Sequence, residues 1–104
     1  MNTAVRKSFS KLEKKQSLSE KFSDPKFIIE AMSDYLKEGD VGSITDLISA
    51  YIKNSKIYNS QEEFATKIGT TRQTLHRMLS HNDNVSLQVF FSAIEQIHSD
   101  SLEV

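Results

Sequence analysis

Apolar residues in this chain recur at helical rather than alternating spacing, in separate runs with few breakers between them. Ile28, Ala31, Met32, Tyr35 and Leu36 form one run, Ile44, Leu47, Ile48, Tyr51 and Ile52 a second, and Leu87, Phe90, Phe91, Ile94 and Ile97 the cleanest. Spacing of i, i+3, i+4, i+7 lays a single stripe along a 3.6-residue helix, so each helix must bury one face against a neighbour. Only three Gly and one Pro occur in 104 residues, and 38% of the chain is hydrophobic. A turn-rich sandwich and disorder throughout are both excluded. The length suits one domain of about 100–150 residues, so an all-α single five-helix bundle is expected.

Local signals set the element boundaries. Asp24 can cap a helix that Pro25 opens without needing an N–H donor, and Gly39 can end it, giving a helix over about 25–38. Asp40 can cap a second over about 41–53. Ser60-Gln61-Glu62-Glu63 has the Ser-x-x-Glu form of a capping box, and the helix it starts, with Phe64, Ala65 and Ile68 inward, is stopped by Gly69 after about eight residues. Thr70-Thr71 can cap a fourth helix whose inward residues are Leu75, Met78 and Leu79, and Ser86 can cap a fifth. Two short helices joined by a glycine turn form the local pattern of a helix-turn-helix. Residues 1–23 carry no sustained helical face and read as a flexible basic arm with at most a short helical turn. The helical domain is expected over 24–98, with a tail over 99–104 in which 101–104 alternate as a short strand could.

The net charge of −1 argues against nucleic-acid binding through bulk charge, but it is a sum over unlike blocks. Residues 1–21 carry +4, 22–55 carry −3, 56–81 carry +2 and 82–104 carry −4. Positive charge thus falls on the segment holding the glycine turn. If that segment meets DNA, the helix after the turn lies in the major groove and its outward residues must be hydrogen-bond donors. Arg72, Gln73, His76 and Arg77 lie off the Leu75/Met78/Leu79 face. Arg pairs bidentately with guanine and Gln with adenine, and the hydroxyls of Thr70 and Thr71 can reach phosphate or base. Gln61 opens the preceding helix, where free backbone N–H groups can help it hold a phosphate.

The segment Ser60 to Leu79 resembles the helix-turn-helix of the Cro-type (XRE) repressors: Gln61, Ala65, Gly69 and Leu75 fall in register. That resemblance implies a lambda-repressor-like bundle in which Gln61 contacts phosphate and Arg72, Gln73 and Arg77 face bases, with Thr71 and His76 as flanking contacts. Beyond the motif, Asp24-Pro25-x-Phe27, Tyr35-Leu36-Lys37-Glu38-Gly39-Asp40 and Leu79-Ser80-x-x-x-Asn84-x-Ser86-Leu87 are similar to the HigA-like addiction-module antidotes, over roughly residues 24–97. The likeness implies an antitoxin that neutralises a small basic toxin of the RelE/ParE fold and represses its own operon. Val85 stands where that family usually has Pro, and Ile97-His98-Ser99-Asp100 replaces its usual Leu-Gly turn.

Other chemistries find little footing. With no Cys there is no disulfide, thiolate zinc site or catalytic thiol. His76 and His81 are five apart, which does not align two metal ligands on one helix face, and His98 stands alone and should face solvent. No nucleophile elbow, oxyanion turn or phosphate loop is evident, so neither enzymatic activity nor a cofactor is expected. No apolar run reaches the roughly 20 residues of a membrane span, and the basic first residues lack an export core, so a cytoplasmic location is expected. Few cations per copy imply that operator binding needs a homodimer. Phe90 and Phe91 point about 100° apart; both are expected in the core, whereas an exposed one would mark a dimer or partner surface. Two alternatives stay open: a protein-interaction module with a vestigial helix-turn-helix, and a stand-alone small regulator.

Overall fold

The Asp24 carboxylate accepts the Lys26 amide at 3.0 Å and Pro25 occupies the first helical turn, so the boundary written in Ser23-Asp24-Pro25 is a physical cap. The computed structural model describes residues 18–80 and 86–103. Among them are six helices and no strand: α1 (18–22), α2 (Pro25–Glu38), α3 (Val41–Asn54), α4 (Gln61–Lys67), α5 (Arg72–Leu79) and α6 (Leu87–Leu102). Each of α2 to α6 begins at a side-chain cap: Asp24, Asp40, Ser60, Thr71 and Ser86. Gly39 ends α2 at φ +70°, and the Asp40 amide returns to the Tyr35 carbonyl at 2.9 Å. Both the hydroxyl and the amide of Ser43 donate to Asp40, holding its carboxyl below the ordinary carboxylate range.

Two layers follow from which faces are apolar. Helix α2 packs on α3 and on α6 through Ile28 and Met32, Ile44 and Ile48, and Ala93 and Ile97, forming a three-helix platform. Helices α4 and α5 pack on one another and on α3, with Phe64, Ala65, Leu75, Met78 and Leu79 turned inward. At about 25 cal/mol per Å² of apolar surface removed from water, this shared core is the main force holding the short α4 and α5, which are too brief to persist alone.

Four expectations need correction. The bundle has a sixth helix among its described residues: 18–22 form the one short helical turn the arm reading allows. Phe22 packs at the core's edge, its ring 6.0 Å from that of Phe27. A pattern needs several turns to show itself, and one turn tied by the Phe22 ring, the Ser19–Asn54 hydrogen bond and Lys21 over the Phe27 ring leaves none; residues 1–17 lie outside the described residues. Leu36 is 47% exposed although it lies i+4 from buried Met32, because it falls in the last turn of α2, three residues before Gly39 ends the helix. Helix α6 runs past residue 98 to Leu102, so the expected strand at the terminus is absent from 101–103, and Val104 lies outside the description. Phe90 is core, but its neighbour Phe91 is 56% exposed. His81, Asn84 and Val85 also lie outside the described residues.

Candidate nucleic-acid interface

The α4–α5 unit is built by local hydrogen bonds. Ser60 Oγ accepts the Glu63 amide at 3.2 Å, while Glu63 Oε1 accepts the Asn59 amide at 2.9 Å. The capping box therefore closes one residue earlier than its usual form, on the residue before the cap. At the far end of α4, Gly69 adopts φ +80° and the Thr70 amide donates to the Ala65 carbonyl at 2.9 Å. Only glycine takes this left-handed conformation without steric cost, and it reverses the chain tightly enough for α5 to begin three residues later.

Of the two threonines after the turn, Thr71 is the cap. Its Oγ1 accepts the Thr74 amide at 3.1 Å and donates to Thr74 Oγ1 at 3.0 Å. Thr70 is half-buried within the turn. Helix α5 then divides cleanly, with Leu75, Met78 and Leu79 buried and Arg72, Gln73, His76 and Arg77 exposed. Thr71 is exposed just before them, and Gln61 is half-buried in the first turn of α4. All seven expected site residues thus lie in one α4–turn–α5 unit. Thr70 and Thr71 are partly committed to turn and cap, whereas Arg72, Gln73, His76 and Arg77 present side chains outward. Such a surface offers two permanent cations, an amide that both donates and accepts, and an imidazole, with no carboxylate in the helix itself.

A cluster that sequence reading missed lies behind this surface. Asp100, 5% exposed near the end of α6, accepts the Tyr51 and Tyr58 hydroxyls on Oδ2, each at 2.8 Å, and the Gln96 amide on Oδ1 at 2.9 Å. Burial above all, reinforced by hydrogen bonding to Asp100 and its negative charge, pushes both phenols well above their ordinary pKa. One signal could have revealed it: Phe90, Ala93, Ile97 and Asp100 share a face at helical spacing, so an acid continues a core stripe. Tyr58 was hidden among polar neighbours between α3 and α4, where no periodicity marks it. His98 is exposed, as expected.

No helix among the described residues is long and apolar enough to cross a membrane. Compared with known protein families, curated proteins and solved structures, the chain shows no match.

Proposed function

We propose that this chain binds operator DNA as a homodimer, with α5 in the major groove, and serves as the antitoxin of a toxin–antitoxin pair, of the lambda-repressor-like and HigA-like type its sequence resembles. The observation that supports this best is the division of α5: an apolar side anchored in the core and an opposite side of Arg72, Gln73, His76 and Arg77, all exposed. In this reading Arg72 and Gln73 read base edges, Arg77 and His76 flank them, and Gln61 with the first amides of α4 holds a phosphate. Thr71 contributes chiefly as the cap that sets where α5 begins.

Helix α6 supplies the dimer surface. Leu87, Phe91 and Leu102 are 68%, 56% and 74% exposed and, with half-buried Ile94 and exposed His98, lie along one side of α6. The stripe carries no permanent cation and is bordered by exposed Glu95, which the pairing below sets against Ile94 of the second copy, so its apolar residues carry the match between copies. Antiparallel pairing about the midpoint between residues 94 and 95 sets Leu87 against Leu102 and Phe91 against His98 of the other copy, as a two-fold interface requires. The basic toxin is left the outer side of α2, where Glu30, Asp34 and Glu38 are exposed at i, i+4 and i+8 and outnumber the exposed Lys26 and Lys37 beside them.

A gel-shift assay on the DNA upstream of the chain's own coding sequence tests the DNA reading. Each bidentate base contact is worth about 1–3 kcal/mol, so Arg72→Ala and Gln73→Ala should each weaken binding about tenfold or more with the fold intact. If both bind as wild type does, the reading is wrong. Co-expression with the product of a neighbouring small basic reading frame tests the antitoxin role separately: co-purification is expected, and failure to co-purify contradicts it.

A further inference from the structure

Asp100 is an unusual residue to bury where it is. A carboxylate in the last turn of a helix opposes the helix dipole, and burial removes its hydration. Neither penalty is needed to fill space, since a Leu or Met would continue the Phe90/Ala93/Ile97 stripe. What the carboxylate gains is three donors from three places: Gln96 one turn back in α6, Tyr51 in α3, and Tyr58 in the link between α3 and α4.

Tyr58 gives the cluster its reach. It lies two residues before Ser60, the cap of α4, and its ring meets Phe64 of α4 edge-on at 4.9 Å and 89°, and Tyr51 at 6.2 Å and 73°. The rest of the link is also tied down: Ser55 Oγ accepts the Ile57 amide at 2.9 Å, and the Asn59 amide donates to Glu63. Helices α4 and α5 contact the platform chiefly through α3. A hydroxyl held from α6 at the entrance to α4 therefore fixes a degree of freedom that α3 packing leaves soft, the tilt of the α4–α5 unit on the platform.

We propose that Asp100, acting through Tyr58, is a positioning residue for base reading: it locks the α4–α5 unit in the orientation from which Arg72 and Gln73 reach the major groove. This rests on the DNA-binding reading above and extends it to residues that touch no DNA. A displacement of about 1 Å is enough to lose a bidentate contact while leaving looser phosphate attraction in place. Losing the lock should therefore cost specificity rather than non-specific affinity.

Tyr58→Phe removes the hydroxyl and keeps the ring. Asp100→Asn keeps an acceptor oxygen for both phenols, with the Gln96 amide turned to present its oxygen, and so serves as the conservative rescue. Two measurements are made on the full chain: amide hydrogen exchange by segment, and affinity for a duplex of its own upstream DNA relative to a scrambled duplex. In Tyr58→Phe, exchange should accelerate at least tenfold across α4 and α5 while α2 is unchanged, and the affinity ratio should fall at least tenfold with scrambled-duplex affinity held. Asp100→Asn should stay within threefold of wild type in both. Unchanged exchange in Tyr58→Phe, or acceleration spread evenly over all helices, overturns the lock whatever DNA does. Local acceleration with an unaltered affinity ratio overturns the positioning role, as does an Asp100→Asn chain that loses as much as Tyr58→Phe. A wild-type chain with no preference for its own upstream DNA overturns the DNA-binding reading and the positioning role with it, and the exchange data show whether the mechanical lock exists apart from that role.

Discussion

Thr71 and Tyr58 show how single side chains are spent before any partner arrives. The Thr71 hydroxyl caps α5 through the Thr74 amide, so Thr71→Ala should destabilise the chain by about 1 kcal/mol, read as a lower denaturant midpoint at unchanged slope. Tyr58 and Tyr51 hold their protons more tightly when folded than the usual phenol value of about 10. A raised folded-state pKa contributes stability that is fully present below the unfolded pKa and lost as pH climbs towards the folded one. The denaturant midpoint should therefore be flat in these two groups up to about pH 9 and fall above about pH 10, and Tyr58→Phe should make that alkaline fall shallower. Nothing in the local sequence marks Tyr58, since its hydroxyl is partnered by Asp100, 42 positions away.

At the scale of elements, helix starts were the most legible feature because each cap is a local event. Asp24, Asp40, Ser60, Thr71 and Ser86 satisfy amides two or three residues on, within the window in which sequence is read. The outward placement of Arg72, Gln73, His76 and Arg77 was legible for the same reason, since a glycine turn followed by a helix with one apolar face leaves the other face defined. Long-range tertiary contacts were not legible. Helix α6 continues through residues 97–102, where this chain lacks the Leu-Gly turn of the family it resembles, and its end is held by tyrosines from elsewhere in the fold. At the α4–α5 turn, Gly69 has open space around the position a Cβ would take, so its requirement is conformational alone. Gly69→Ala should cost about 1 kcal/mol through the left-handed φ, visible as a lower Tm, without the larger loss a clash would add.

Considered whole, the chain divides its surface by chemistry: donors on α5, an apolar stripe bordered by Glu95 on α6, and three acids against two lysines on the outer side of α2. The net charge of −1 is the sum of these unlike faces, which is why it says little about any one of them. If α6 forms the dimer, Phe91→Glu places a carboxylate in the middle of each stripe and should convert dimer to monomer in sedimentation equilibrium, with helix content unchanged by circular dichroism. Operator affinity should fall with it, because two half-sites about one helical turn apart require two copies. The most direct test of the central claim is the affinity of purified wild-type chain and of the Arg72→Ala/Gln73→Ala double variant for a duplex of the chain's own upstream DNA, measured against a scrambled duplex. Wild type should prefer its own sequence by a hundredfold or more, in keeping with the roughly 10³-fold or greater preference of specific DNA binders, and the double variant should bind the two duplexes alike while remaining folded. A folded double variant that keeps the wild-type preference would contradict it.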